Sequence, residues 1–355
     1  MIRVVIDSGN APPGTGIGIY SELLLRALQK YCGAEILASE AGISWTAYSL
    51  RPLKRLVYLA RLSRLRRSGF SGAGVVHFTN HYTPRRVEKV RYILSIHDLD
   101  AIKLPEAHTR RYSWYCRFII PRAIERAHMI ITPSEAVREE VLQEYALPPD
   151  TVRVGGQGLS EEFMSRAGKE THDRPEISTV LYVGQISKKK NVAWLVRTFV
   201  KGVLRGALPR LRLVLAGGAG FGSREVFTQI PAARGIVSWY NRPSLSEIAN
   251  LYSQSAFVVL PSLREGFGRP LLEALYCGKP AVASRIPSSL ELLGEYGYYF
   301  TLNDEDEFYW AINNALEDPK GRERKSFAAR QLEKYSWKNL ARKYLDLYRG
   351  ALKIP

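Results

Sequence analysis

The sequence predicts an α/β protein made of two doubly wound parallel sheets. Three observations predict it. Short apolar, β-branched runs alternate with amphipathic stretches along most of the chain, as in parallel sheets covered by helices on both faces. The alternation breaks at a polar, charged stretch from Ser160 to Glu176 and then restarts. At 355 residues the chain exceeds one ordinary core. The expected division is a first domain over 1–165, a second over 175–335, and a closing helix over 336–355.

In the first half, Arg3-Val4-Val5-Ile6 reads as a strand, followed by the polar, glycine-rich loop from Asp7 to Gly18. Such a loop either brings backbone close to a phosphate or is simply a flexible turn. The next helix carries Ile19, Leu23, Leu24, Ala27 and Leu28 on one face. Residues 51–67 form a second amphipathic helix, with seven Lys/Arg and no acid. That helix suits an anionic membrane surface, or equally an ordinary place on the domain. Val75-Val76-His77-Phe78 and Arg91–Ile96 are strands, and the second runs into His97-Asp98-Leu99. A histidine at a strand end stands where α/β sheets bind ligands, though a lone histidine is as often structural. Met129–Thr132 is a strand leading to Ser134, a fitting N-cap for a helix from Glu135. Asp150–Val154 closes this half.

After the expected linker, Ser178–Gly184 is a strand and Lys188-Lys189-Lys190-Asn191 lies on the loop before the next helix. Three lysines there suit a phosphate or face solvent. Leu211–Ala216 ends in Gly217-Gly218-Ala219-Gly220, and Ile236–Tyr240 precedes a helix from Ser244. Ala256–Leu260 is a buried strand. Its loop, Arg264-Glu265-Gly266-Phe267-Gly268, enters a helix at Pro270, a residue favoured at the first helical position, and Gly278 ends that helix. The helix start offers free N–H groups and a positive dipole end to an anion, with Glu265 and Glu273 beside it. Glu273 is expected in the first turn. Pro280–Ser284 and Gly297–Phe300 are short strands. The tail from Asp304 to Lys353 is helical, with breaks at Pro319–Gly321 and Tyr335-Ser336.

The net charge is +17. Residues 41–134 concentrate it, with 17 Lys/Arg against 5 Asp/Glu. This balance favours an anionic partner: nucleic acid, an anionic membrane surface or a phosphorylated substrate. No nucleic-acid-binding motif accompanies it, and the basic run lacks interleaved aromatic platforms. Cys32, Cys116 and Cys277 lie far apart, which argues for a reducing compartment without disulfides. Met1–Asp7 reads as a strand rather than a signal peptide, and no apolar run is long enough to span a membrane.

Five ordered landmarks then match a family. Glu265-x7-Glu273 with Cys277-Gly278-Lys279-Pro280, Tyr182-Val183-Gly184 with Lys188–Asn191, Thr15–Tyr20, Ser95–Leu99 with Ile130–Ser134, and Tyr335-Ser336-Trp337 resemble the retaining GT-B glycosyltransferases of the GT4 group along nearly the whole chain. Two positions depart from the pattern. Arg269 replaces the usual leucine, and Lys189 replaces an arginine, keeping the charge but losing a bidentate fork.

The resemblance implies a GT-B fold, two Rossmann-like domains facing across a cleft, with the final helix crossing back to the first. It implies a hexosyltransferase moving mannose or a rhamnose-like sugar from a nucleotide sugar, GDP-mannose favoured, with retention. The acceptor would be a glycan or lipid-linked glycan in surface polysaccharide or lipopolysaccharide synthesis, at the cytoplasmic face of the cell membrane. Glu273 would take the ribose hydroxyls, and Lys190 with Lys189 the pyrophosphate. Gly16 and Gly184 would offer backbone to the donor, Leu272 would belong to the donor site, and Glu265 with the backbone of Gly266, Phe267 and Gly268 would hold the sugar. His97 would contact that sugar, Asn241 and Arg242 would lie near the base, and Tyr240 at the strand end before them would belong to the donor site. His97, Glu265 and Lys190 are the expected catalytic residues, with no cofactor and no metal. Asp98-Leu99-Asp100 has the letters of an Asp-x-Asp metal motif but belongs to the histidine landmark. Residues 51–67 would touch the membrane. The alternatives are a nucleotide-sugar-binding relative without catalysis and a basic nucleic-acid-binding protein.

Overall fold

The structure is a computed structural model that describes residues 2–7, 16–33, 35–40, 74–81, 90–167 and 178–353. The basic helix expected over 51–67 and the loop over 8–15 lie outside these residues. The chain forms two compact units. One joins Met1–Leu99, Trp114–Gln157 and Trp337–Pro355, and the other joins Asp100–Ser113 with Gly158–Ser336.

The first unit holds a six-stranded parallel sheet of order β2-β1-β3-β4-β5-β6. The strands are β1 (Ile2–Asp7), β2 (Ile36–Glu40), β3 (Val75–Phe78), β4 (Arg91–Ser95), β5 (Met129–Thr132) and β6 (Val152–Val154). The apolar runs of β1, β3, β4 and β5 are buried because helices cover the sheet. The helix Gly16–Cys32 buries Tyr20, Leu24, Ala27 and Leu28. The last helix, Trp337–Lys353, buries Trp337, Leu340, Ala341, Tyr344, Leu345, Tyr348 and Ala351, a stripe at helical spacing. Gly155 lets the chain leaving β6 pass this helix, since a Cβ there would stand 2.1 Å from the Tyr344 hydroxyl.

Polar side chains inside this unit satisfy one another. The Tyr20 and Tyr344 hydroxyls are 2.6 Å apart, and Ser95 Oγ is 3.3 Å from Tyr20 and 2.9 Å from His77 Nε2. His77 Nδ1 meets the Tyr348 hydroxyl at 2.9 Å. The chain of bonds ties the first and last helices to β3 and β4, so no polar group along it is left bare. Burial pushes His77 down to about 3, so the ring is neutral.

The second unit holds another six-stranded parallel sheet, of order β12-β11-β10-β7-β8-β9. Its strands are β7 (Thr179–Val183), β8 (Arg212–Ala216), β9 (Val237–Tyr240), β10 (Phe257–Leu260), β11 (Ala281–Ser284) and β12 (Tyr298–Phe300). In each sheet the strand order reverses once, between β1 and β3 and between β7 and β10. The crevice at the carboxyl ends of such strands is where open α/β sheets bind ligands.

Three local expectations change. The polar stretch expected as linker begins with a helix, Glu161–Ala167. Ser160 Oγ accepts from Phe163 N, two glutamates occupy the first turn, Arg166 pairs with Glu162, and Phe163 is buried. These are the local forces that hold a short helix. The helix after β10 runs Arg269–Tyr276, with Gly268 as N-cap at φ 89°. Pro270 is therefore the second helical residue, and Glu273 falls beyond the first turn. Finally, β2 and the helix Arg110–Arg126 are not evident from sequence. The strand is a short sheet edge, and the helix carries Pro121 in its interior.

Candidate active site

In the second unit, the loops after β7 and β10 meet beside the reversal of strand order. Leu263 N donates to Lys189 O at 3.0 Å, which joins them directly. The first loop is also laced to the glycine loop after β8. Gly184 N donates to Ala216 O at 3.0 Å, Ile186 N to Gly218 O at 2.9 Å, and Lys188 N to Phe221 O at 2.8 Å. The approach requires glycine, because a Cβ on Gly217 would stand 1.8 Å from Gly184 O. Beneath the loop, the buried Tyr182 hydroxyl donates to Gln185 O at 2.8 Å.

This framework brings together Lys190 and Glu265, 75 positions apart in sequence. Lys190 Nζ donates to Glu265 Oε1, and the Ser262 hydroxyl donates to the same oxygen at 2.6 Å. Burial of Glu265 opposes its charge, but the Lys190 and Lys189 ammoniums and these two hydrogen bonds outweigh it. The carboxyl is held below its usual value and is ionised. Lys189 points elsewhere. Its ammonium pairs with Asp100, which also receives Arg264 Nε at 3.1 Å. Asp100 is thus the buried counter-ion of two cations of this loop cluster.

Glu273 is buried on the helix after the glycine loop. The Tyr252 hydroxyl donates to Oε2 at 2.7 Å, and Arg269 Nε lies 3.3 Å from Oε1. Burial pushes this carboxyl up, against the opposing pull of Arg269 and Tyr252. Arg269, the departure from the family pattern, is therefore in contact with the acid of the landmark. Each carboxylate oxygen keeps further acceptor capacity. Gly266 and Gly268 form the loop between the two glutamates. Phe267 and Leu272 turn their side chains into the core, Phe267 edge-on to Tyr335 at 5.0 Å. Tyr240 and Asn241 are exposed at the end of β9.

In the first unit, Gly16 opens its helix and is exposed, with open space where a Cβ would be. His97 follows β4. Its Nε2 meets Thr79 O at 2.8 Å, its Nδ1 meets the Gln157 amide at 3.3 Å, and the Tyr20 ring packs nearly perpendicular to it with centroids 4.9 Å apart. A carbonyl partner requires the proton on Nε2, so Nδ1 is the acceptor. Burial, opposed by Thr79 and Asp98, lowers its pKa. Sequence reasoning assigned no role to Ser262, Asp100, Tyr252 or Gln157. Ser262 sits three residues before Glu265, a spacing that could have signalled it. Tyr252 and Gln157 carry no local signal. Among the described residues, no group of three or more His, Cys, Asp or Glu side chains is placed to hold a metal ion.

Two parallel-sheet α/β units, each with one reversal of strand order, define the GT-B architecture. The model of glycosyl transferases group 1 matches residues 167–332, and that of glycosyltransferase family 4 matches residues 33–162. The chain belongs to the GT4-type glycosyltransferases. It is 25% identical over 284 residues to O-antigen chain mannosyltransferase B of Escherichia coli, covering 78% of this chain and 74% of that protein. Among solved structures, the sucrose-phosphate synthase of Thermosynechococcus elongatus superposes with a TM-score of 0.75 at 19% identity, covering 99% of both chains. Anabaena HepE, in complex with UDP and glucose, superposes with a TM-score of 0.71 at 17% identity, covering 99% of this chain and all of that one.

Proposed function

We propose that this glycosyltransferase moves a mannose- or rhamnose-like hexose, with retention, from a nucleotide sugar to a glycan or lipid-linked glycan of surface polysaccharide or lipopolysaccharide. GDP-mannose is the favoured donor, in keeping with the mannosyltransferase relative. The observation that carries the reading is the Lys190–Glu265 pair at the reversal of strand order between β7 and β10.

Glu273 accepts hydrogen bonds from the ribose hydroxyls. Lys190 neutralises charge on the departing diphosphate, and the Gly266–Gly268 backbone with Glu265 orients the sugar. His97 is assigned to the same sugar. The bond from the anomeric carbon to the diphosphate oxygen breaks, and a bond to the acceptor oxygen forms. The acceptor hydroxyl's proton leaves with the diphosphate or to solvent. Positive charge waiting where negative charge develops lowers the barrier, and it does so without a metal. The reaction takes place at the cytoplasmic face of the membrane.

Thermal shifts with GDP-, UDP-, dTDP- and ADP-sugars test the donor, since a ligand of the folded state raises its melting temperature. GDP-mannose is expected to give the largest shift. Turnover followed by NMR of the anomeric proton tests retention. A shift without turnover on any glycan acceptor would favour a non-catalytic nucleotide-sugar binder.

A further inference from the structure

Arg269, which stands where the family pattern has leucine, is the first residue of the helix Arg269–Tyr276. The sequence expects the start of this helix to receive an anion, yet its backbone has little to offer one. Gly268, the N-cap, has no side chain to contribute, Pro270 has no N–H, and Leu271 N already donates to Gly268 O at 2.8 Å. The two lysines expected on the diphosphate are engaged as well. Lys189 is paired with Asp100, and Lys190 shares its ammonium with Glu265. Arg269 is engaged only through Nε, which lies 3.3 Å from Glu273 Oε1. Its terminal nitrogens have no partner among the described residues, and the side chain is 32% exposed.

We propose that Arg269 binds the diphosphate of the donor through these terminal nitrogens while its Nε holds Glu273. The inference rests on the nucleotide-sugar reading above and adds a residue that decides how tightly the donor is held. Side chains on a helix lean toward its N-terminus. Arg269 and Glu273, one turn apart, therefore both lean to the end where the phosphates are expected. A guanidinium is a planar fork: one edge serves the carboxylate, and the other can meet phosphate oxygens in parallel bonds. One side chain then joins the acid of the ribose to the anion beside it, and supplies the donors that Pro270 and Leu271 withhold. A leucine at this position can do neither.

The test is NMR titration of the full chain with guanosine and GDP, and with uridine and UDP, in the wild type and in variants. Arg269→Leu should lose about 10- to 100-fold in affinity for the diphosphate, the effect of hydrogen bonds to a charged group, and less than about threefold for the nucleoside. Arg269→Lys should recover part of the loss, since it restores the charge without the fork. Arg269→Gln keeps a donor for Glu273 without the charge. It should show the same split as leucine, and it stands in if the leucine variant folds poorly. Glu273→Gln should weaken nucleoside and diphosphate alike, because both carry the ribose. The proposal is overturned if the uncharged variants bind the diphosphate like the wild type. It is equally overturned if they weaken nucleoside and diphosphate by the same factor, which would leave Arg269 a support for Glu273 alone. In both cases the donor reading stands. A wild type that binds neither diphosphate more tightly than its nucleoside overturns the donor reading, and the proposal with it.

Discussion

The Tyr252 hydroxyl donates to Glu273 across 2.7 Å, and with Arg269 on the other oxygen it fixes the carboxylate inside the second unit. An acid held this way is oriented before any ligand arrives, which spares the binding step the ordering of a free side chain. It also places a charge where burial disfavours it. Burial raises the carboxyl above its ordinary value of 4.5, with Arg269 and Tyr252 only partly opposing. The folded state then holds this proton more tightly than the unfolded chain. Ionisation therefore removes stability as pH rises from 4.5 through the raised value.

Glu273→Gln is expected to separate function from stability. The amide keeps the shape and can still accept from Tyr252, so the melting temperature should equal or exceed that of the wild type at neutral pH. The difference should shrink as pH falls toward 4.5. Donor kcat/KM should fall about 10- to 100-fold, the worth of hydrogen bonds to a charged group. Tyr252→Phe should raise the donor KM less, since Arg269 remains. Steady-state kinetics with thermal melts at several pH values check both. Unchanged kinetics in Glu273→Gln would remove the ribose assignment.

Lys190 and Glu265 have the opposite electrostatic sign. The Glu265 carboxyl is held below 4.5 despite burial, so the pair stabilises the fold above that value and the stabilisation is lost as pH falls through the lower folded value. Lys190→Ala leaves a buried carboxylate with Ser262 as its remaining direct partner. Breaking such a pair costs about 3–5 kcal/mol. Without Lys190 the folded carboxyl takes up its proton at a higher pH than in the wild type, so the stability gap between the two should narrow as pH falls below 4.5. The variant's kcat should fall about 10²- to 10³-fold, as when one donor to a developing charge is removed. Lys190→Arg should recover part of both losses. Chemical denaturation across pH and single-turnover kinetics provide the readouts.

What could be read from the sequence was local. The β10 strand, the two glycines after it and the helix start are contiguous, and period and propensity find them. Glu265, Lys190 and Glu273 were named because each belongs to a short motif. What holds them was not legible. Tyr252 reaches Glu273 from 21 positions away. Asp100 reaches Lys189 and Arg264 only because a segment distant in sequence joins the second unit. Buried side-chain partners are chosen by tertiary packing, which leaves no period behind. Gly268 shows a subtler limit: its left-handed conformation starts the helix one residue earlier than Pro270 implied, and so moves Glu273 out of the first turn.

Gly217 supplies a backbone test of the same site. A methyl group there would meet Gly184 O at 1.8 Å, so Gly217→Ala must push the loop after β7 away from β8. That loop carries Lys190. The variant is expected to lose about 1–3 kcal/mol, the usual penalty for overpacking, and to lose kcat more than donor affinity. Gly206→Ala is the control, with a left-handed glycine outside the site and open space for a methyl. Equal kinetic losses in the two would show that the contact with Gly184 is not what positions Lys190.

His77 makes the first unit sensitive to acid. The ring is buried against Tyr348 and Ser95, and burial takes it down from 6.5 to about 3. The folded state resists the proton that the unfolded chain accepts, so stability contributed by the neutral ring is present above 6.5 and declines as pH falls below it. The slope is about 1.4 kcal/mol per pH unit while the ring stays neutral in the folded state. His81 and His97 are also lowered and add to the total, so the wild type alone does not isolate His77. His77→Asn does. Its unfolding free energy between pH 6 and 4 should fall less steeply than that of the wild type by about this amount. Whatever stability the substitution itself removes shifts the whole curve and leaves the difference in slope intact. Parallel curves would mean that the proton enters elsewhere, and that the bonds from Tyr348 to Ser95 do not keep His77 neutral.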